Sequence, residues 1–434
     1  MRQANSTIRG YLYQFNKSIF EILSSKDEDS ITLEGVIEDI DIQNTTNITT
    51  IQCKYHEDKK FQMSSVVEPI LEMLCHYHES SIIGKNMSYI LFAYFQDNVD
   101  SIDKNKFKEY VVSTTNKEIM LAYFHKIYTI PDSNILNLAN KTKKTLDEKK
   151  EILNYYDKNK ASLSLCVNFD DFWSCFKYYR AEQYDILSQK IVDKLSEITD
   201  RETAESLYYP NAFSYIANLS SKPKVSQRTI TKKQLIDFLS AQKSIMISQW
   251  ALQALDKVKI LKNKKIHLSS NFSSNACIRA FIFSDKFIEH NFEAIIPFIH
   301  EYINKYYKKP KLQNPPIFIL ENKSEEILQK IILELYKYQK YVNSGIVGNS
   351  FVGDNFINNL TCTNEISCKM TLLKNINVDL LEKCKVSQLY VIGNVLETEN
   401  LKSYNYILEN LDVDNVYLLK YLVGLEKTLE ENRT

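Results

Sequence analysis

Glu38-Asp39-Ile40-Asp41 and, beyond the polar turn Asn44-Thr45-Thr46-Asn47, Gln52-Cys53-Lys54 are the stretch from which the fold of this 434-residue chain is read. Residues 31–33 and 36–42 mostly alternate apolar with polar, as do residues 48–55, which predicts strands joined by that turn. Side chains two apart on a strand share a face, so Asp39 pairs with Asp41 and Gln52 with Lys54. If the two strands are hairpin neighbours, these four groups converge. Ile40, Ile42, Ile51, Cys53 and Tyr55 then cover the opposite face and hold the site against a core.

The chemistry these residue types suit is hydrolysis of a phosphodiester, which needs a hard divalent cation, an activated water and a donor for the charge that builds in the transition state. Carboxylate and amide oxygens suit Mg²⁺ or Mn²⁺, which take oxygen ligands and keep several waters. Asp41 is the expected main ligand, Asp39 the second candidate and Gln52 a neutral carbonyl ligand where many such sites use Glu. Lys54 is expected to orient or deprotonate the water with its compact ammonium group. Either triplet alone is also what a solvated strand edge looks like. The surrounding elements argue for a site.

Upstream, Ile8, Leu12, Phe15, Ile19 and Leu23 recur at helical steps, predicting a helix capped near Asn5 or Ser6. Gln14, Ser18 and Glu21 fall on another face of it. Downstream, Ser65-Val66-Val67-Glu68 has the pattern of a capping box opening a helix to about residue 78, with Pro69 inside the tolerated first turn. Residues 89–95 form a continuous apolar and aromatic run, the mark of a buried strand. The expected order is helix, three strands, helix, strand.

That order, with Asp on the second strand and Q-x-K on the third, resembles the PD-(D/E)XK nuclease core in its D…QxK variant, used also by Mrr-type restriction enzymes. More narrowly, Ile8-Arg9-Gly10-Tyr11-Leu12-Tyr13-Gln14, Leu33-Glu34-Gly35 with Glu38-Asp39-Ile40-Asp41, and Ile51-Gln52-Cys53-Lys54-Tyr55 resemble the CD-NTase-associated double-stranded DNA endonuclease domain of bacterial anti-phage islands. The likeness covers roughly the first half of the chain. It implies a metal site of Asp39 or Asp41 with Gln52 and Lys54, and Gln14, Glu21 and Glu38 as supporting candidates. Glu34, before the Gly35 bend, reads equally well as a surface acid.

Composition bounds the rest. Fifty-four basic and fifty-four acidic residues give a formal charge of zero, which argues against a chain that coats DNA constitutively. Candidate local basic patches are Lys222, Lys224, Arg228, Lys232 and Lys233; Lys257, Lys259, Lys262, Lys264 and Lys265; and Lys305, Lys308, Lys309 and Lys311. No apolar run approaches the ~20 residues of a membrane span, and the charged first helix argues against a secretory signal, so a cytoplasmic location is expected. The eight cysteines lack any C-x-x-C pattern and are expected to be reduced; Cys362, Cys368 and Cys384 are most simply core residues.

Residues 141–160 and 169–198 are expected to form helices buttressing the core, and residues 220–228 read as a linker. Beyond it, a long helix over 232–255, strands near 277–283, 317–320, 368–373 and 389–392, and helices over 324–341 and 403–429 predict a second domain. Gly345, Gly348 and Gly353 make no phosphate loop, because no Gly-Lys-Ser/Thr follows. The expected architecture is therefore α/β, with a PD-(D/E)XK-like nuclease domain and helical extension over residues 1–219 and a mixed α/β regulatory or oligomerisation domain over 229–434.

A nuclease with such a second half resembles the nuclease subunit of Lamassu-type, ABC-three-component defence systems. That resemblance implies an SMC-like ATPase partner, a small third subunit, a homo-oligomer when active, double-stranded DNA as substrate and no membrane. Two competing readings are a nuclease gated by a cyclic oligonucleotide, and a scaffold or DNA-binding subunit whose site has decayed at Gln52.

Overall fold

In the computed structural model, which describes residues 2–35, 37–80, 86–97, 99–113, 117–242, 244–272, 277–307, 315–321, 325–338, 340–348, 350–358, 370–373, 377–393 and 406–429, the predicted hairpin forms. The chain divides into two compact units, Met1–Ala241 and Gln242–Thr434. Both are α/β. Among the residues singled out above, Val36, Lys308, Lys309, Lys311, Cys362 and Cys368 lie outside the described residues, as do the predicted helix starts at 324 and 403.

The first unit opens with α1 (Arg2–Ser24), β1 (Ser30–Leu33), β2 (Ile40–Gln43), β3 (Asn47–His56), α2 (Val67–Ser80) and β4 (Asn86–Phe95), the order expected from periodicity. Then come α3 (Lys104–Ser113), α4 (Lys117–Ile127), α5 (Ser133–Ala139), α6 (Leu146–Asn159), α7 (Phe169–Cys175), β5 (Phe176–Arg180), α8 (Tyr184–Leu195), α9 (Arg201–Thr203), a π turn (Ala204–Tyr208), α10 (Tyr209–Ser220), β6 (Thr229–Ile230) and α11 (Lys232–Ala241). The sheet runs β5-β4-β3-β2-β1-β6. Its β1-β2-β3 part is antiparallel, and β3, β4 and β5 are parallel, with α2 in the crossover. Alternation decides what covers each face. Tyr13 of α1 stacks on Tyr55 at 4.4 Å, and Phe15 meets Phe213 edge-on, so α1 and α10 cover one side. Tyr89, Leu91, Ala93 and Phe95 of β4 bury the other side against α2, α4 and α7.

Four expectations are corrected here. α1 begins at Arg2, upstream of the expected cap. Within 169–198, Phe176–Arg180 is a strand, because it completes the parallel edge beside β4. The 220–228 stretch is not the boundary: the next residues, Thr229 and Ile230, pair with Thr32 and Ile31, drawing β6 and α11 into the first unit. The long helix expected over 232–255 is two helices, interrupted where the units divide.

The second unit contains α12 (Gln249–Ala254), α13 (Lys257–Phe272), β7 (Ile278–Phe283), α14 (Asp285–Tyr306), β8 (Ile317–Leu320), α15 (Glu325–Lys337), β9 (Val342–Asn343), β10 (Ile346–Val347), β11 (Ser350–Phe351), α16 (Gly353–Asn358), β12 (Met370–Leu373), α17 (Val378–Lys383), β13 (Val386–Ile392), β14 (Ile407–Leu411) and α18 (Val416–Leu422). Its main sheet is parallel throughout, in the order β14-β13-β7-β8-β12-β9. Ala280, Phe281, Ile282 and Phe283 are all buried, as two-sided cover by helices demands. Residues 407–411, expected as helix, form the edge strand β14 beside β13.

Candidate functional site

The pairing of β2 with β3 sets Ile40 opposite Ile51 and Asp41 opposite Thr50. Asp39 itself precedes β2, at the end of a turn closed by the Glu34 N–H donating to the Asp39 carbonyl (2.8 Å) and the Gly35 N–H to the Glu38 carbonyl (2.8 Å). One oxygen of the half-buried Asp39 carboxylate accepts the Gln52 amide (2.5 Å) and the Cys53 N–H (2.8 Å). Asp39 and Gln52 are therefore in direct contact. Lys54 lies two residues beyond Gln52 on the same side of β3 and acts electrostatically on Asp39.

Asp41 has a different environment. Its Oδ2 accepts the Ile37 N–H (3.2 Å), and a Cβ added at Gly35 would lie 2.1 Å from that oxygen. Asp39 and Asp41, expected as a same-face pair, thus have different hydrogen-bond partners. The turn takes Asp39 off the strand ladder, and Asp41 braces the turn from below.

The supporting candidates also separate. Gln14, buried on α1, donates its amide to Glu34 Oε1 at 2.8 Å. Glu21 is instead paired with Lys17 at 2.5 Å, and the Lys17 ammonium rests 3.7 Å from the centre of the Phe92 ring. Glu38 is buried beside the site. Sequence reasoning undervalued Glu34 and missed Glu72 of α2, which bears on Glu38. The only available signal for Glu34 was its place five residues before Asp39, ahead of a glycine.

The electrostatics follow from burying several acids around one lysine. Burial pushes the Asp39 carboxyl up to about 6; the Cys53 N–H and Lys54 pull against that, Glu34 adds to it, and the Gln52 amide opposes it. Burial, then Asp39 and Glu72, push Glu38 up to about 9, with Lys54 opposing. The Cys53 thiol is held well above its ordinary range, chiefly by burial, which marks it as an inert packing group.

No three His, Cys, Asp or Glu side chains form a metal-binding group among the described residues. The groups in contact here are the Asp39 carboxylate and the Gln52 amide, whose nitrogen donates to it; Glu34 is held separately by Gln14. This hard-donor set fits Mg²⁺ or Mn²⁺, which need only one or two carboxylates and complete their shell with water. The raised proton affinity of Asp39 and Glu38 comes first from burial, to which the charges of Asp39 and Glu72 add at Glu38.

Two of the basic patches lose members to internal bonding. Lys264 is buried, with its ammonium 2.5 Å from Glu409 of β14, and Lys265 donates to the Glu426 carbonyl (2.6 Å). Lys305 donates to the Gly424 carbonyl. Cys384 is a core residue, as expected. Compared with known proteins, the chain matches no family model, and no curated protein matches it.

Proposed function

We propose that this chain is a metal-dependent endonuclease that cuts double-stranded DNA, built on a core of the PD-(D/E)XK kind. The observation that carries the reading is the hydrogen bond of Gln52 to Asp39, with the charge of Lys54 acting on the same carboxylate, at the point where β2 starts beside β3. Order of elements and strand pairing support it: helix, an antiparallel three-strand unit, then a helical crossover to a parallel strand.

A bound Mg²⁺ or Mn²⁺ would polarise the phosphate and lower the proton affinity of its water. Asp39, as carboxylate, and Gln52, through its amide oxygen, would hold it. The Gln52 amide N–H donates to the Asp39 carboxylate. Lys54 would orient the attacking water and stabilise the charge on the phosphate oxygens. Asp41 keeps the turn that presents Asp39, so its role is support.

The neutral overall charge and the internal bonding of Lys264, Lys265 and Lys305 leave little for independent DNA capture. We therefore propose an anti-phage effector that is silent alone and active when assembled, in the manner of Lamassu-type systems, with an SMC-like ATPase and a small third subunit as partners and self-association as the active state. A second reading, gating by a cyclic oligonucleotide, is favoured by one feature. The parallel sheet of the second unit reverses its direction of growth at β7 and β13, and such switch points commonly bind nucleotides.

The test is digestion of duplex DNA with Mg²⁺ by the chain alone, by the chain with its genomic neighbours, and by the chain with cyclic oligonucleotides, each beside Lys54→Ala and Asp39→Asn. Cleavage that needs both residues supports the reading, and the condition that releases it identifies the gate. No cleavage under any of these conditions leaves a decayed scaffold as the answer.

A further inference from the structure

Resting on the nuclease reading above, we infer that the segment leading through β6 into α11, with Lys224, Arg228, Lys232 and Lys233, is a phosphate-binding edge of the first unit that grips the backbone of duplex DNA beside the scissile bond. Residues 206–236 contain no Asp or Glu. Among the described residues, none of these four bases takes part in an ion pair, and the buried Arg228 Nε meets no hydrogen-bond partner. The second unit differs: its Lys264 is engaged by Glu409, and Lys265 and Lys305 by backbone carbonyls. Lys232 and Lys233 also open α11, with no acid in its first turn, where cations oppose the helix dipole. Charge placed there weakens the helix, and an anion brought to it relieves the conflict.

Strand pairing brings this charge to the end of the sheet where Asp39 and Gln52 meet. The Leu33 N–H donates to the Arg228 carbonyl (3.0 Å), Leu33 lies opposite Ile40, and Ile40 lies opposite Ile51. Arg228, Leu33, Ile40 and Ile51 therefore form one row across the sheet, and Asp39 and Gln52 come directly beyond it. β6 and β2 are two strand spacings apart, about 10 Å. A duplex covers that length in about three base pairs at ~3.4 Å each, so phosphates flanking a bond held at Asp39 reach the segment. Its other side chains suit them. Ser226 and Thr229 expose hydroxyl-bearing side chains among the bases, of the kind that commonly contact a nucleic-acid backbone. No large apolar side chain is exposed between Ser221 and Gln234, as a face inserted into a membrane surface would require.

The test is binding of the full chain to a fluorescein-labelled DNA duplex in EDTA, followed by anisotropy, with salt varied from about 50 to 200 mM. The triple variant Lys224→Gln, Lys232→Gln, Lys233→Gln changes only exposed or half-buried side chains, so it is expected to melt like the wild type. Each phosphate contact contributes about 0.9 to the slope of log K against log salt, so the triple variant should be less steep by about 2.7, and equally so on two unrelated sequences. Lys259→Gln with Lys262→Gln, on α13, should leave the slope unchanged. A wild-type slope in the triple variant overturns the proposal, as does absence of duplex binding by the wild type at the lowest salt. Stronger retention on phosphatidylserine vesicles than on duplex overturns it in favour of a membrane surface. In each of these cases the nuclease reading stands if cleavage still requires Asp39 and Lys54. Loss of slope as expected, with no cleavage under any releasing condition, keeps the DNA-binding edge and removes the nuclease.

Discussion

Lys54 is only partly buried, and β3 keeps its backbone pairing on both sides whatever its side chain. Lys54→Ala should therefore leave the melting temperature unchanged and lower duplex cleavage by roughly 10²–10³, the usual loss for one transition-state donor. Gly35 gives the converse case. Its hydrogen leaves room for Asp41 Oδ2, so Gly35→Ala must displace either the carboxylate or the turn. An overpacking cost of about 1–3 kcal/mol in urea unfolding is expected, together with weakened cleavage, because the displaced turn also carries Glu34 and Asp39. A variant with wild-type stability and wild-type cleavage would remove the structural role assigned to Asp41.

At the scale of elements, the second unit ties its edge strand to a helix with buried charge. Glu409 of β14 meets Lys264 and His267, both from α13, and accepts the Ser244 hydroxyl (3.1 Å). Removing one member of a buried pair leaves the other uncompensated, so Glu409→Gln should destabilise this unit by about 3–5 kcal/mol. The pH dependence has a definite sign. Burial raises the Glu409 carboxyl, but Lys264 and then His267 outweigh that and hold it below its ordinary value. A carboxylate depressed on folding stabilises fully above the unfolded value of about 4.3 and loses this as pH falls through the folded value. Lys264 is lowered by burial, with Glu409 opposing. Urea midpoints measured from about pH 5 to pH 3 should thus fall for the wild type and fall less for Glu409→Gln.

For the whole molecule, the place of the division decides which fragment folds. Ile230, Leu235 and Leu239 are fully buried in the first unit, and Phe238 stacks on Tyr215 at 4.1 Å. A fragment of residues 1–241 should unfold cooperatively in urea, whereas a fragment of residues 1–219 lacks β6 and α11. Each buried aliphatic side chain lost is worth about 1.5–3 kcal/mol, so a deficit of more than about 3 kcal/mol is expected. Equal midpoints would show that β6 and α11 belong elsewhere. The fragment of residues 1–241 also separates regulation from chemistry: if the second unit mediates restraint, this fragment should cut duplex DNA where the isolated full chain does not.

Local pattern determined much of this protein. The helical spacing from Leu12 to Leu23, the alternation from Ile48 to Tyr55 and the apolar run through Tyr89 to Phe95 each state the face they bury, because periodicity is a property of neighbours in sequence. The candidate residues Asp39, Gln52 and Lys54 were legible for the same reason. Short edge elements were not: Phe176–Arg180, Thr229–Ile230 and Ile407–Leu411 become strands through partners far along the chain, which no local window contains. The division of labour between the two aspartates was equally hidden. A turn closed by backbone bonds takes Asp39 off the ladder toward Gln52 and tucks Asp41 under Gly35, while a helix twenty residues upstream brings Gln14 to Glu34. Sequence spacing determines which side chains share a strand face; only tertiary packing determines which carboxylate is left facing the site and which is enclosed within the turn.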